Sequence, residues 1–391
     1  MRPQGDGPAR GPISDAVLEQ VRDQLARDGA ALTPERVAGV LRERGRPVGD
    51  ATVLAVHDAL RRDVVGAGPL EPLLRMPGVT DVLVNGPDRV YLDRGRGLEL
   101  TGVRLPDDES VRRLAQRLAA SGGRRLDDAT PYVDLRLPDG SRFHAVLAPV
   151  SRPGTLLSLR VPRARAFTLA ELVAEGAVPD EGAWLLRRIV ECRLAFLVSG
   201  GTGSGKTTLL NALLSMVDST QRLVLVEDAS ELRPEHPHVV GLEARPPNVE
   251  GAGEITLRTL VRQALRMRPD RLVVGEVRGA EVTDLLAAMN TGHEGGCGTI
   301  HANSAVDVPS RIEGLALAAG MPLPAVHSQL VSALDVVIHV GRGADGRRAI
   351  REIGTLRRDD GMAGVVPAVT FADGKALTHP AAGPLLERLG R

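Results

Sequence analysis

Eight consecutive residues, Gly200-Gly201-Thr202-Gly203-Ser204-Gly205-Lys206-Thr207, constrain this 391-residue chain more than any other feature. They fit the pattern G-x-x-x-x-G-K-[ST]. An apolar run, Leu194 to Val198, enters the segment, and Thr208-Leu209-Leu210 opens an apolar helical stretch after it. Strand, glycine turn and helix in that order make a phosphate cradle. Glycines let successive backbone N–H groups point inward, and the helix start adds partial positive charge. Gly200, Gly201, Thr202, Gly203, Ser204, Gly205 and Thr208 are therefore candidate contacts to a bound nucleotide. Lys206 is expected to reach the β- and γ-phosphates, and the Thr207 hydroxyl to ligate Mg²⁺, so ATP and Mg²⁺ are the expected cofactors. Of the 49 basic residues only Lys206 and Lys375 are lysine. A chain that otherwise uses arginine keeps a compact ammonium at 206.

The surrounding pattern supplies a scaffold for such a loop. From Thr168 onward, candidate strands (Leu194–Ser199, Arg222–Glu227, Arg271–Val277, Gly298–His301, Asp335–Val340) alternate with helices such as Lys206–Val217, Thr256–Met267 and Ala280–Asn290. That alternation predicts a three-layer α/β domain with a mainly parallel sheet over 168–391, ending in a short helix or tail at 380–391. The preceding part reads differently. Residues 1–12 predict a flexible tail without an apolar leader, 13–65 a helical region, and 66–161 a smaller α+β domain with two hairpins. Residues 162–167 read as the linker.

Several acids end the predicted strands. Leu272 to Glu276 is an apolar strand ending in Glu276, where a phosphoryl-transfer site places a water-orienting base or an acid that reaches Mg²⁺ directly or through water. Leu223 to Asp228 ends in Glu227 and Asp228, with Glu231 three residues on. Carboxyl ends of neighbouring parallel strands line one crevice, so Glu227, Asp228 and Glu276 are expected to converge there. Clustered acids need a cation, which Mg²⁺ or arginine supplies. His293 to His301, with Cys297 between, admits two readings: metal ligands, or a glycine loop whose histidines sense phosphate or a neighbouring subunit. Arg142 and Arg160 lie on predicted strands of the first domain.

Bulk composition narrows the field. The 49 basic side chains balance 49 acidic ones, and residues 1–165 carry 26 basic against 22 acidic. Seven aromatics in the whole chain argue against a stacking channel for single-stranded nucleic acid. Two distant cysteines fit a reducing compartment.

The ordered motifs resemble those of the type II/type IV secretion ATPase superfamily, in particular its TadA/CpaF-like branch of tight-adherence (Flp-type) pilus assembly. The resemblance runs over about residues 65–340. It includes Gly68-Pro69-Leu70-Glu71-Pro72-Leu73-Leu74, Val82 to Gly86, Leu137 to Arg142, Leu157 to Arg160, the Gly-rich loop and Val226 to Leu232. It continues through Arg245 to Gly251, Ala264 to Arg271, Val274 to Gly279 and Thr299 to Asn303. The resemblance implies a C-terminal RecA-like P-loop NTPase domain, a Walker A element at 200–207, and a Walker B element ending in Glu276. It implies an Asp box from Glu227 to Glu231 with Glu227 its best carboxylate, and a His box with His293 and His301 both near the nucleotide. It implies that Arg142 and Arg160 of the N-terminal domain reach that nucleotide. It further implies a homohexamer, cytoplasmic at the inner face of the cell membrane, that acts on a platform protein of the inner membrane without binding nucleic acid. Two other classes stay open: a conjugation-type, DNA-translocating RecA-like ATPase, and a non-catalytic nucleotide-binding scaffold.

Overall fold

The computed structural model describes residues 66–390 apart from 96, 162–164, 246, 248–250, 344–345 and 373, together with residues 21, 24, 33–43, 49, 52–54 and 56–57. The expected tail at 1–12 and most of the helical region at 13–65 lie outside the described residues. Within that region Pro34–Glu43 (α1) is helical, starting at the proline that follows Thr33. The chain divides into two compact units, Met1–Arg163 and Ala164–Arg391.

In the first unit, a short helix Glu71–Leu74 (α2) leads to β1 (Asp81–Asn85), β2 (Val90–Asp93) and β3 (Leu98–Leu100). Helix α3 (Asp108–Ser121) and strands β4 (Tyr132–Arg136), β5 (Arg142–Val146) and β6 (Leu156–Arg160) follow. Asp107 caps α3 by accepting the Ser110 N–H, and Asp108 and Glu109 sit in its first turn, where the helix dipole favours acids. The six strands form one antiparallel sheet in the order β3-β2-β1-β6-β5-β4. Alternate residues such as Val82, Val84, Phe143 and Ala145 are buried, and they share one core with Val111, Leu114, Ala115 and Leu118 of α3. Period-two burial on one face is what the hairpin patterning predicts.

The second unit begins with α4 (Leu169–Ala174), held by a capping box between Thr168 and Glu171, and α5 (Asp180–Glu191). It continues with β7 (Phe196–Gly200), α6 (Lys206–Leu214), β8 (Leu223–Glu227), β9 (Val239–Glu243), α7 (Leu257–Ala264), β10 (Arg271–Val277), α8 (Glu281–Met289) and β11 (Cys297–His301). Then come α9 (Val308–Ala318), α10 (Leu323–Ala333), β12 (Val336–Arg342), β13 (Arg348–Asp359), β14 (Met362–Ala372), β15 (Lys375–Thr378) and α11 (Ala382–Arg388). The sheet order is β15-β14-β13-β12-β7-β11-β10-β8-β9. Pairings from β12 through β9 are parallel; those from β12 to β15 are antiparallel. β7 and β8 are buried at every position, as a sheet covered on both faces requires. The core lies in two clusters, one around Leu185, Phe196 and Leu213 and the other around Val226, Val274, Ile300 and Val337.

This is the expected α/β architecture, with one addition. The meander β13–β15 extends the sheet where alternation of strand and helix gave no signal. Its strands are half-buried ribbons, with Val365 and Ala363 packed on one cluster and Val369 and Phe371 on the other. No helix among the described residues is long and apolar enough to cross a membrane.

Candidate functional site

Parallel strands deliver their carboxyl ends to one edge of the sheet, and the Gly-rich loop leaves β7 at that edge. Glycine is required at its first position. At Gly200, φ is +157°, and a Cβ would lie 2.4 Å from the Val340 carbonyl oxygen and 2.5 Å from Ser204 Oγ. Gly205 precedes α6 with φ +100°, in the left-handed region that only glycine adopts freely. The start of α6 has no side-chain cap, so its first N–H groups face the loop, the arrangement that receives a phosphate. Lys206 is 8% exposed, and its Nζ donates to the carbonyls of Gly200 and Gly201 at 3.0 and 3.1 Å. Burial pushes its pKa below the ordinary lysine range, against the pull of Glu276 and Glu231. Thr207 and Thr208 occupy the first turn of α6, half-buried. Backbone, ammonium and hydroxyl thus fit a phosphate chain with Mg²⁺.

Glu276 reaches the loop through a local irregularity. Val274 pairs with Gly298 but Val277 with Ile300, so β10 carries one extra residue at Gly275–Glu276. Such a bulge re-aims a side chain. Its effect is to bring the Glu276 carboxylate to His301, whose Nδ1 lies 3.2 Å from Glu276 Oε1. His301 also stands 3.4 Å from Lys206 Nζ, and its Nε2 is 3.1 Å from Thr202 Oγ1. A proton on Nδ1 makes the ring a donor to Glu276 and leaves Nε2 to accept from Thr202. In that tautomer the ring links Thr202 of the Gly-rich loop to the strand-end acid, with the Lys206 ammonium beside them. Burial works to raise the Glu276 pKa, but hydrogen bonds from Arg278 and His301, with the charges of Arg278 and Lys206, bring it below the ordinary value.

The other acids are arranged differently from the sequence expectation. Glu227 is 4% exposed, and its Oε1 accepts the N–H groups of Glu231 and Leu232 at 3.0 and 2.9 Å. A Cβ at Gly275 would lie 2.7 Å from Glu227 Cγ, so this side chain is wedged between β8 and β10. Burial raises its pKa to about 7. It holds its own loop, and the exposed Glu231 is the acid of that loop that acts electrostatically on Lys206. The cation for the acid cluster is Arg278, which lies 2.6 Å from Glu276 and 3.8 Å from Asp228.

The two histidines of the His box part company. Cys297 pairs with Phe196 at the start of β7 and His301 with Gly200 at its end. His293 comes before Cys297, at the amino-terminal edge of the sheet, where its ring faces the Ala288 carbonyl oxygen at 3.3 Å. The structure separates the two: His301 stands at the Gly-rich loop beside Thr202, Lys206 and Glu276, and His293 stands away from it. The same separation speaks against the metal-ligand reading of this segment, and Cys297 is fully buried with its thiol pushed up to about 12 by burial. Beside it, the buried Arg271 donates to Gln221 and to the Val190 carbonyl, tying that edge together.

Sequence reasoning missed three side chains on the opposite flank of the loop. His339 of β12 lies 3.0 Å from Ser199 Oγ, and burial lowers its pKa. Arg342 donates Nη2 to the Gly203 carbonyl oxygen at 3.3 Å. Arg348 passes close to Gly205. Their only sequence signal was membership of β12, which flanks β7, or of its hairpin partner β13, and strand order alone reveals that. Arg142 and Arg160 lie directly opposite each other on β5 and β6 of the first unit. Arg142 binds both oxygens of Asp134, and Arg160 binds Asp81.

Comparison with known proteins converges on one group. The family model described as "Type II/IV secretion system protein" matches residues 63–357. A Mycobacterium tuberculosis protein provisionally named for conjugal transfer is 56% identical over 329 residues, covering 83% of this chain and 93% of that protein. The type IV secretion system protein VirB11 of Brucella suis is 32% identical over 319 residues, covering 73% of this chain and 88% of its own. Among solved structures, the pilus retraction motor PilT with bound ADP aligns with a TM-score of 0.52 at 22% identity. That alignment covers 71% of this chain and 78% of the other, and shows a shared fold.

Proposed function

The chain belongs to the type II/IV secretion system protein family, and from that premise we propose that it is an Mg²⁺-dependent ATPase motor of a secretion or tight-adherence pilus machine. The observation that carries this reading is the convergence of Lys206, His301, Glu276 and Thr202 at the carboxyl edge of a parallel sheet. Phosphoryl transfer asks the protein mainly for positioning and charge neutralisation. The Gly-rich loop and α6 hold the phosphates, Lys206 neutralises them, and Thr207 carries the Mg²⁺ that offsets the remaining charge. Glu276 orients the attacking water and takes its proton, with His301 fixing the carboxylate. Glu227 acts as a positioning residue through the loop it holds.

The working assembly in this reading is a homohexamer at the inner face of the cell membrane, coupled to a platform protein. The conjugal-transfer name of the 56%-identical relative favours a second reading, a motor for conjugation. DNA-stimulated turnover distinguishes it.

The test is phosphate release from MgATP together with solution mass by light scattering. Turnover that disappears in Lys206→Ala supports the motor. Six chains of 41.4 kDa give about 248 kDa when a non-hydrolysable ATP analogue is bound. Binding without turnover would replace the motor with a nucleotide-binding scaffold.

A further inference from the structure

Arg342, at the end of β12, and Arg348, at the start of β13, are register partners across the hairpin beside the Gly-rich loop. Both are exposed. Arg342 Nη2 lies 3.3 Å from where a Cβ at Gly203 would stand, and Arg348 Cδ lies 3.7 Å from one at Gly205. The pair therefore lies against the loop itself, on the side away from the hydrolytic groups.

Strand order gives that side a meaning. Glu276 on β10 and His301 on β11 flank β7 on one side, and β12 with β13 flank it on the other. The γ-phosphate belongs with Lys206 and the water-orienting acid. A triphosphate laid across the start of α6 with its γ end there directs its α-phosphate and nucleoside toward β12. A base needs a flat partner. The four aromatic side chains of this unit, Phe167, Trp184, Phe196 and Phe371, all lie in or against one hydrophobic cluster. A guanidinium is planar, cationic and able both to stack and to bind phosphate.

The geometry points to Arg342 and Arg348 as the nucleoside-end subsite of the nucleotide held by the same subunit, meeting the face of its base. This rests on the reading that the loop binds nucleotide, and it assigns cis arginines distinct from Arg142 and Arg160. The contact is to parts that ADP has and inorganic tripolyphosphate lacks.

The test uses the full chain with Mg²⁺ and calorimetric titration of ADP and of inorganic tripolyphosphate. It compares wild type, Arg342→Gln, Arg348→Gln and the double variant, each checked by thermal melting. The double variant is expected to bind ADP about tenfold more weakly while tripolyphosphate binding stays within about twofold. Equal loss for both probes would make Arg342 a brace of the Gly203 carbonyl and overturn the subsite. Unchanged ADP binding in the double variant would also overturn it while leaving the nucleotide reading intact. A wild-type chain that bound neither probe would overturn the nucleotide reading itself.

Discussion

The two sheets of this molecule treat their charged residues in opposite ways. In Met1–Arg163 every sheet pairing is antiparallel, so strand ends alternate between edges and collect no common set of side chains. Its arginines pair locally: Arg112 with Asp128, Arg142 with Asp134, Arg160 with Asp81. In Ala164–Arg391 the parallel strands end together, and Gly200, Glu227, Glu276 and His301 are the last or near-last residues of four of them. Parallel topology concentrates function at one edge, where burial and charge act on each other. The antiparallel sheet spends similar residues on solvated pairs worth up to about 1 kcal/mol each.

Substitutions on either side sharpen this contrast. Lys206→Ala removes the buried cation of the Gly-rich loop and should abolish phosphate release; normal release would end the site assignment. Glu276→Gln should lower kcat about a thousandfold while ADP still binds, because in the proposed mechanism the lost group orients water instead of holding phosphates. An equal loss of ADP affinity would contradict that division of labour. In the antiparallel unit the largest effect should come from its core. Phe143 is fully buried, and Phe143→Ala should cost about 3–5 kcal/mol in denaturant unfolding.

Glu227 tests the parallel edge through pH. Its pKa rises from 4.5 to about 7 on folding. The folded state then binds the proton more tightly, so this stabilisation is complete below about pH 4.5 and is lost as pH climbs to about 7. The loss should amount to about 2–3 kcal/mol in wild type. It should vanish in Glu227→Gln, whose amide oxygen still accepts the two loop N–H groups. A pH profile identical in both proteins would remove the buried-carboxyl interpretation. The smallest effect is expected for Arg142→Ala. Its pair with Asp134 is about half exposed, so stability should change by no more than about 1 kcal/mol, and any large drop in turnover would report contact with nucleotide.

Much of this was readable before the coordinates because the relevant signals are contiguous. Leu223 to Val226 and Leu272 to Val274 are unbroken apolar runs, and only a strand buried on both faces needs them. The Asp107 cap and the Thr168 capping box are local in the same sense, each joining residues three positions apart. The meander was harder, since β13 and β14 carry interrupted apolar patterns and pack through a sheet edge. Arg278 was visible two residues after Glu276, but its bridge to Asp228 crosses between strands. His293 and His301 sit in one glycine-rich segment, and β11 between them carries them to opposite edges.

By itself the sequence determined the Gly-rich loop, the family and the α/β framework, since each depends on neighbouring residues: glycines that free the backbone, a lysine before a helix, runs that demand burial. Only the tertiary structure decided which side chains stand beside that loop. It selected His301 over His293, turned Glu227 inward, bulged β10 to aim Glu276, and set Arg342 and Arg348 on the far flank. The physical reason is that strand order is settled by burial of both sheet faces and by crossover connections. Those are long-range choices that no local spacing encodes.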